Sequence, residues 1–223
     1  MDISKAIEAL RQAVKESVRV AYEQKRLVLF FCFTHLVFLV MGEVMVALEV
    51  PGVVSLREEQ LKAVQELIYL KPITGVLATS LLLKIAYTLA FNLLFGALVS
   101  TTLFGALFFL PYIMAVWRGF LIGMLFYGLD TGAPLKSVIF YGTFLLEFGA
   151  YSISSAIGTD LGLTLLTPGR KGVESRGEAL KIWYAGAKKL YLLIFILLFF
   201  GAVWEIGWLH FLGSIAGPAL LLE

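Results

Sequence analysis

Residues 141–162 read YGTFLLEFGAYSISSAIGTDLG, and Glu147 is the one carboxylate in the first two thirds of that run. Behind it, Ala150, Ser154, Gly158 and Gly162 recur every four residues. At 3.6 residues per turn, this spacing lays four small side chains along one side of a helix, with Glu147 one turn earlier. Small residues at that spacing let two helix backbones approach closely inside a bilayer, where lipid removes the usual hydrophobic drive between helices. The stretch therefore reads as a membrane helix carrying a packing stripe and a buried charge.

The composition agrees. Of 223 residues, 60% are hydrophobic and 15% charged, against about 45–50% and roughly 25% in ordinary soluble domains. The excess lies in long runs. A helix needs about 20 mostly apolar residues to cross ~30 Å of hydrocarbon, and backbone groups in lipid must bond within their own segment. The expected fold is all-α: a polytopic membrane bundle of about five transmembrane helices, joined by amphipathic interfacial helices.

Two regions follow, a cytoplasmic amphipathic helix over residues 1–26 and a transmembrane domain over 27–223. Within 3–24, Ile3, Ile7, Leu10, Val14, Val18 and Ala21 share a face, with Lys5, Arg11, Lys15 and Arg19 on or near the other. The expected spans are 27–47, 75–98, 103–128, 135–158 and 189–209. Between the first two, Ser55 and Glu58 form a capping-box pattern that opens an interfacial helix ending before Pro72. Pro111 removes a backbone donor and should bend the third span, or turn it into a re-entrant hairpin. Continuous helix from 135 to Leu166 would be roughly 48 Å long, so a tilt or a break at Gly158–Gly162 is expected. The tail 210–223 is apolar but short, and reads as interfacial or dipping into the membrane. The first 26 residues are heavily charged and contain no apolar core of a cleavable signal.

Lys and Arg set the orientation. Residues 1–26 hold six and 163–189 hold six more, against three in 48–74, one in 129–136 and none in the tail. Four spans separate the two rich segments, which returns them to one side. By the positive-inside rule that side is cytoplasmic, leaving the C-terminus extracytoplasmic in a multi-pass protein of the cell membrane.

Charges inside spans cost about 2.5–3.5 kcal/mol on insertion scales and are candidates for function. The intramembrane polar cluster expected here is Lys84, Asn92, Arg118, Glu147 and Glu205, with Glu147 near the midplane and Lys84 or Arg118 as its ion-pair partner. Against a working site stands a buried pair that only orients helices. Asp160 and Glu43 read as residues near the interfaces, His35 and His210 as structural or interfacial. Gly119 and Gly123 form a second small-residue pair. Together with Ala150, Ser154, Gly158 and Gly162 they pack helices within one chain or form a homodimer seam, the intrachain reading being favoured.

Enzyme signatures are missing: no HExxH, no Walker or dinucleotide glycine pattern, and no His near Ser154 or Ser155. The lone Cys32 cannot make an intrachain disulfide or a metal cluster. No catalytic residue, cofactor or metal is expected. The basic residues lack interleaved aromatics and suit anionic lipid better than nucleic acid.

The run LLEFGAYSISSAIGTDLGLTLLTPG, the basic loop and apolar helix with Glu205 that follow, Asn92, and RGFLIG at 118–123 resemble the stage II sporulation protein M family. The likeness covers about residues 75–210. Members often carry His where this chain has Thr143 and Asn where it has Arg118. The resemblance implies an integral membrane protein, and in sporulating members action with partner proteins while septal peptidoglycan is remodelled. The expected function is a non-enzymatic membrane scaffold that binds a partner: a second copy, another membrane protein or a cytoplasmic protein. The alternative is a transporter or channel for an ion or small solute along the intramembrane charges.

Overall fold

A computed structural model describes residues 3–66, 79–128 and 134–216. Among them every element is helical: α1 (Ile3–Glu23), α2 (Lys25–Ala47), α3 (Pro51–Glu66), α4 (Leu81–Phe91), α5 (Leu110–Phe126), α6 (Pro134–Leu166) and α7 (Arg176–Ala216). A π-helical segment, Asn92–Leu103, continues α4 without a break, and a short 3-10 turn, Phe104–Ala106, closes it.

Three helical stretches are long and apolar enough to cross a membrane, Lys25–Ala47, Leu81–Ala106 and Arg176–Phe211. At 17 residues α5 is short. α6 has the length but not the apolarity, because it carries Ser152, Ser154, Ser155, Thr159 and Asp160. Four of these are buried against its neighbours, and Thr159 is partly buried. Large apolar side chains such as Leu29, Phe33, Leu36, Leu82 and Phe200 instead point outward, as expected of helices solvated by lipid tails.

α6 is the central helix. The residues 92–105 lie along 147–162 in the same direction, Asn92 beside Glu147 and Gly105 beside Gly158. α7 runs antiparallel to it, with Trp204 Nε1 donating to Ile139 O at 3.0 Å and Trp183 Nε1 to Ile157 O at 3.1 Å. α2 is antiparallel to α6 as well, since His35 meets Ser152. α2 and α5 run parallel at close range. Gly119 and Gly123 face the carbonyls of His35 and Leu39, and Gly42 faces Phe120 O. A Cβ on Gly119 would come within 2.6 Å of His35 O, so glycine sets that approach. The core is Phe148, Tyr151, Ile153 and Ile157 of α6 against Leu190, Ile194 and Leu198 of α7.

Several expected boundaries move. α3 opens at Pro51, and Ser55 lies one turn inside it, donating to Pro51 O at 2.9 Å. Ser55 therefore does not cap the helix, because Pro51 occupies the first turn, where its missing N–H costs nothing. The expected end of that helix before Pro72, and the start of the second span at 75, lie outside the described residues. Ser80 caps α4, accepting from Leu83 N at 3.3 Å.

Residues 103–128 are not one helix. Residues 103–106 end the preceding element, 107–109 turn, and Pro111 sits in the first turn of α5. It starts a helix instead of bending one, again because the first turn needs no proline donor. α6 runs unbroken for 33 residues through Gly158 and Gly162, since both glycines are packed against backbone. α7 spans 41 residues, so the expected fifth span, 189–209, is the middle of a longer helix that begins at Arg176. It continues to Ala216, and the rest of the tail lies outside the described residues.

Candidate intramembrane polar site

The π-helical segment is where the polar residues gather. Ser100 Oγ and Thr101 Oγ1 both donate to Gly96 O, at 2.8 and 2.7 Å. Hydroxyls that bond back to the preceding turn loosen a helix, and π-helical turns are frequent at functional sites. Asn92, the first residue of the segment, presents its amide to α6. Asn92 Nδ2 donates to Glu147 Oε1 at 2.7 Å.

That contact replaces the expected ion pair. Neither Lys84 nor Arg118 comes within salt-bridge distance of Glu147; the three ion pairs among the described residues are Arg19–Glu23, Lys171–Asp160 and Lys189–Glu16. Arg118 is engaged elsewhere. Its Nη2 donates to Gly96 O and Ser100 Oγ, each at 3.2 Å, and its guanidinium lies 4.0 Å from the centre of the Tyr151 ring. Its Nη1 is buried with no hydrogen-bond partner. Lys84 is half-buried in the first turn of α4 and joins no ion pair among the described residues.

The wall opposite Asn92 is α7. A Cβ on Gly201 would lie 3.4 Å from Glu147 Cγ, which places Gly201 against this side chain. Glu205, one turn further along α7, and Arg118 both lie within electrostatic range of Glu147. Two carboxyl groups and one guanidinium thus share this part of the bundle.

Further along α6 the polar contacts continue. Ser154 Oγ donates to Ala97 O at 2.6 Å and lies 3.0 Å from Thr102 Oγ1, to which Tyr191 donates at 2.8 Å. Asp160, buried at the far end, accepts from Lys171 Nζ at 2.6 Å. Glu147 to Asp160 is about 20 Å of helix.

His35 is buried beside this column. The Phe31 carbonyl can only accept, so Nδ1 carries the proton that bonds it at 2.9 Å; Nε2 is left buried and without a partner.

The small-residue ladder is occupied within the chain. Ala150 and Ser154 are fully buried. A Cβ on Gly158 would meet Thr101 O at 2.6 Å, and one on Gly162 would strike Gly105 O. Gly119 and Gly123 are likewise covered by α2. These six residues pack helices inside one chain, which leaves no stripe open for the homodimer seam.

Of the five cluster residues, Asn92, Glu147, Arg118 and Glu205 come together and Lys84 does not. Sequence reasoning missed Tyr151, Gly96, Ser100 and Gly201. Tyr151 had a signal, being four residues after Glu147 and on the same helix face. The others had none, because their roles depend on backbone approach. Among the described residues, no group of three or more His, Cys, Asp or Glu could share a metal ion.

No protein-family model, curated protein or solved structure significantly matches this chain.

Proposed function

We propose that the protein crosses the cell membrane five times, with its N-terminus cytoplasmic, and carries or conducts a monovalent cation through the site at Glu147. The helix directions support the threading: 81–106 and α6 run one way, while α2, α5 and α7 run the other. One observation carries the functional reading. Glu147 is held by the neutral amide of Asn92, not by a cation, although a carboxylate in hydrocarbon is expensive. With Glu205 nearby and Arg118 turned toward Gly96 and Ser100, two carboxyl groups are opposed by one guanidinium, and a bound cation would balance the second.

Flux through reconstituted vesicles tests this. Wild type should dissipate a proton or alkali-cation gradient, and Glu147→Gln should lower the rate by roughly tenfold or more, equivalent to ~1.4 kcal/mol on the barrier. The variant keeps an oxygen for the Asn92 amide, so its fold should persist. Wild-type vesicles no leakier than empty ones, for every monovalent cation tried, would sink the reading.

A second reading is a non-enzymatic scaffold of the kind that the resemblance to stage II sporulation protein M implies. The contact of Gly105 with Gly158 and Gly162 favours it, because it closes the α6 face beyond Ser154. A scaffold would carry no flux and would retain a partner, in the membrane or in the cytoplasm, through mild-detergent purification.

A further inference from the structure

α1 packs on α7 with one face and leaves a different one bare. The packed face is Ser17 and Val20, with Ser17 Oγ donating to Lys189 O at 2.7 Å and Glu16 Oε2 3.0 Å from Lys189 Nζ. The apolar stripe lies beside it around the helix. Ile3 is 75% exposed, Ile7 61%, Leu10 57% and Val18 51%. Among the described residues, these four side chains stay mostly exposed.

Three features say what covers it. First, α1 ends at Glu23 and the membrane-length helix α2 begins at Lys25, so a single residue, Gln24, separates the stripe's helix from a span. Second, Lys5, Arg11, Lys15 and Arg19 are all exposed, and Lys25 and Arg26 follow at the junction. Third, the Glu16–Lys189 contact places α1 beside the start of the fifth apolar stretch, where Lys181, Lys188 and Lys189 add charge of the same sign. An apolar stripe flanked by basic residues and tethered at a span's entrance is the pattern of a helix that lies in an anionic interface.

We propose that α1 docks its Ile3–Ile7–Leu10–Val18 stripe into the headgroup layer of an anionic bilayer, the lysines and arginines beside it contacting lipid phosphates. The docked helix would hold the entrance of α2 and, through Lys189, the start of the fifth apolar stretch against one leaflet. This does not depend on cation movement at Glu147, and flux and docking can fail separately.

The experiment uses full-length protein with Cys32→Ser, an environment-sensitive fluorophore on Ile7→Cys or on Glu8→Cys, and lipid nanodiscs. Discs containing phosphatidylglycerol should give blue-shifted, brighter emission at position 7 and little change at 8. Neutral phosphatidylcholine discs should give a smaller shift at 7. Raising the salt, which shortens the screening length from ~10 Å at 0.1 M to ~3 Å at 1 M, should erase the difference between lipids. So should the pair Arg11→Glu and Lys15→Glu, both at exposed positions, with helix content by circular dichroism confirming an intact fold. Position 7 remaining water-exposed in both lipids would overturn the proposal. Equal shielding in both lipids, or shielding that grows with protein concentration and so marks a second copy, would also overturn it.

Discussion

Asn92 and Glu147, 55 residues apart, meet through a 2.7 Å hydrogen bond between the first residue of a π-helical segment and the middle of the central helix α6. The amide is the one hydrogen-bond donor that Glu147 has among the described residues. It ties the α4 rod to α6 at the level where Gly201 of α7 lies against Glu147. The bond thus serves both the packing and the electrostatics of the cluster.

Asn92→Leu should therefore cost about 1–2 kcal/mol, between the ~0.6 kcal/mol average for interhelical bonds in membranes and the 1.5–3 kcal/mol typical of bonds to charged groups. Thermal unfolding in detergent measures it. In a double-mutant cycle with Glu147→Leu, which leaves the Asn92 amide no acceptor, the two changes should fall well short of additive. Full additivity would mean that the two side chains do not interact.

Gly158→Ala tests the ladder. The added Cβ would sit 2.6 Å from Thr101 O and 3.2 Å from both Thr102 Cα and Pro111 Cγ, and backbone cannot swing aside as a flexible side chain can. A loss of about 1–3 kcal/mol is expected, as for overpacking. Gly149→Ala on the same helix is the control, because its nearest neighbour would be Leu197 Cδ1 at 3.7 Å. That change should be neutral or gain up to ~1 kcal/mol from helix propensity. Equal damage at both positions would refute close backbone approach as what holds the seam.

The helical class, the apolar stretches and the amphipathic face of α1 were legible in the sequence because each is a local pattern. The boundary between the second and third stretches was not. No charged residue interrupts the largely apolar stretch from Phe91 to Met114, so hydropathy cannot find the turn at 107–109, and Pro111 reads equally as a kink or a helix start. In the site, the identities of Asn92, Arg118, Glu147 and Glu205 were legible from their rarity in apolar runs. Their partners were not. Charge alone pairs Glu147 with a cation, whereas the observed pairing depends on the registry of residues 92–105 along α6, which places Asn92 at Glu147 and Arg118 over Tyr151.

Topology is open to chemical labelling. With Cys32 replaced, a cysteine at Gln60 should react with an impermeant maleimide from outside the cell, and one at Val173 only after the membrane is opened. Reversal at either position would reject the five-crossing, N-inside arrangement. It would also leave the two basic segments on a side that the positive-inside rule does not allow.

Glu16 links α1 to α7 and makes their contact acid-sensitive. The hydrogen bond and positive charge of Lys189 hold its carboxyl below the ordinary value of 4.5, with Gln12 adding a weaker bond. A carboxylate whose folded value is depressed stabilises the contact fully above its unfolded value, and loses that contribution as pH falls through the folded one. Between pH 8 and 6 the docking of α1 should therefore not change, and it should loosen on acidification below the ordinary carboxylate range. Hydrogen exchange of the amides around Ser17 and Val20 reads this directly, with protection flat near neutrality and declining in acid. Glu16→Gln should remove the decline while leaving the Ser17–Lys189 bond in place. A variant that loses protection in acid as wild type does would place the titrating group elsewhere on α1 or α7.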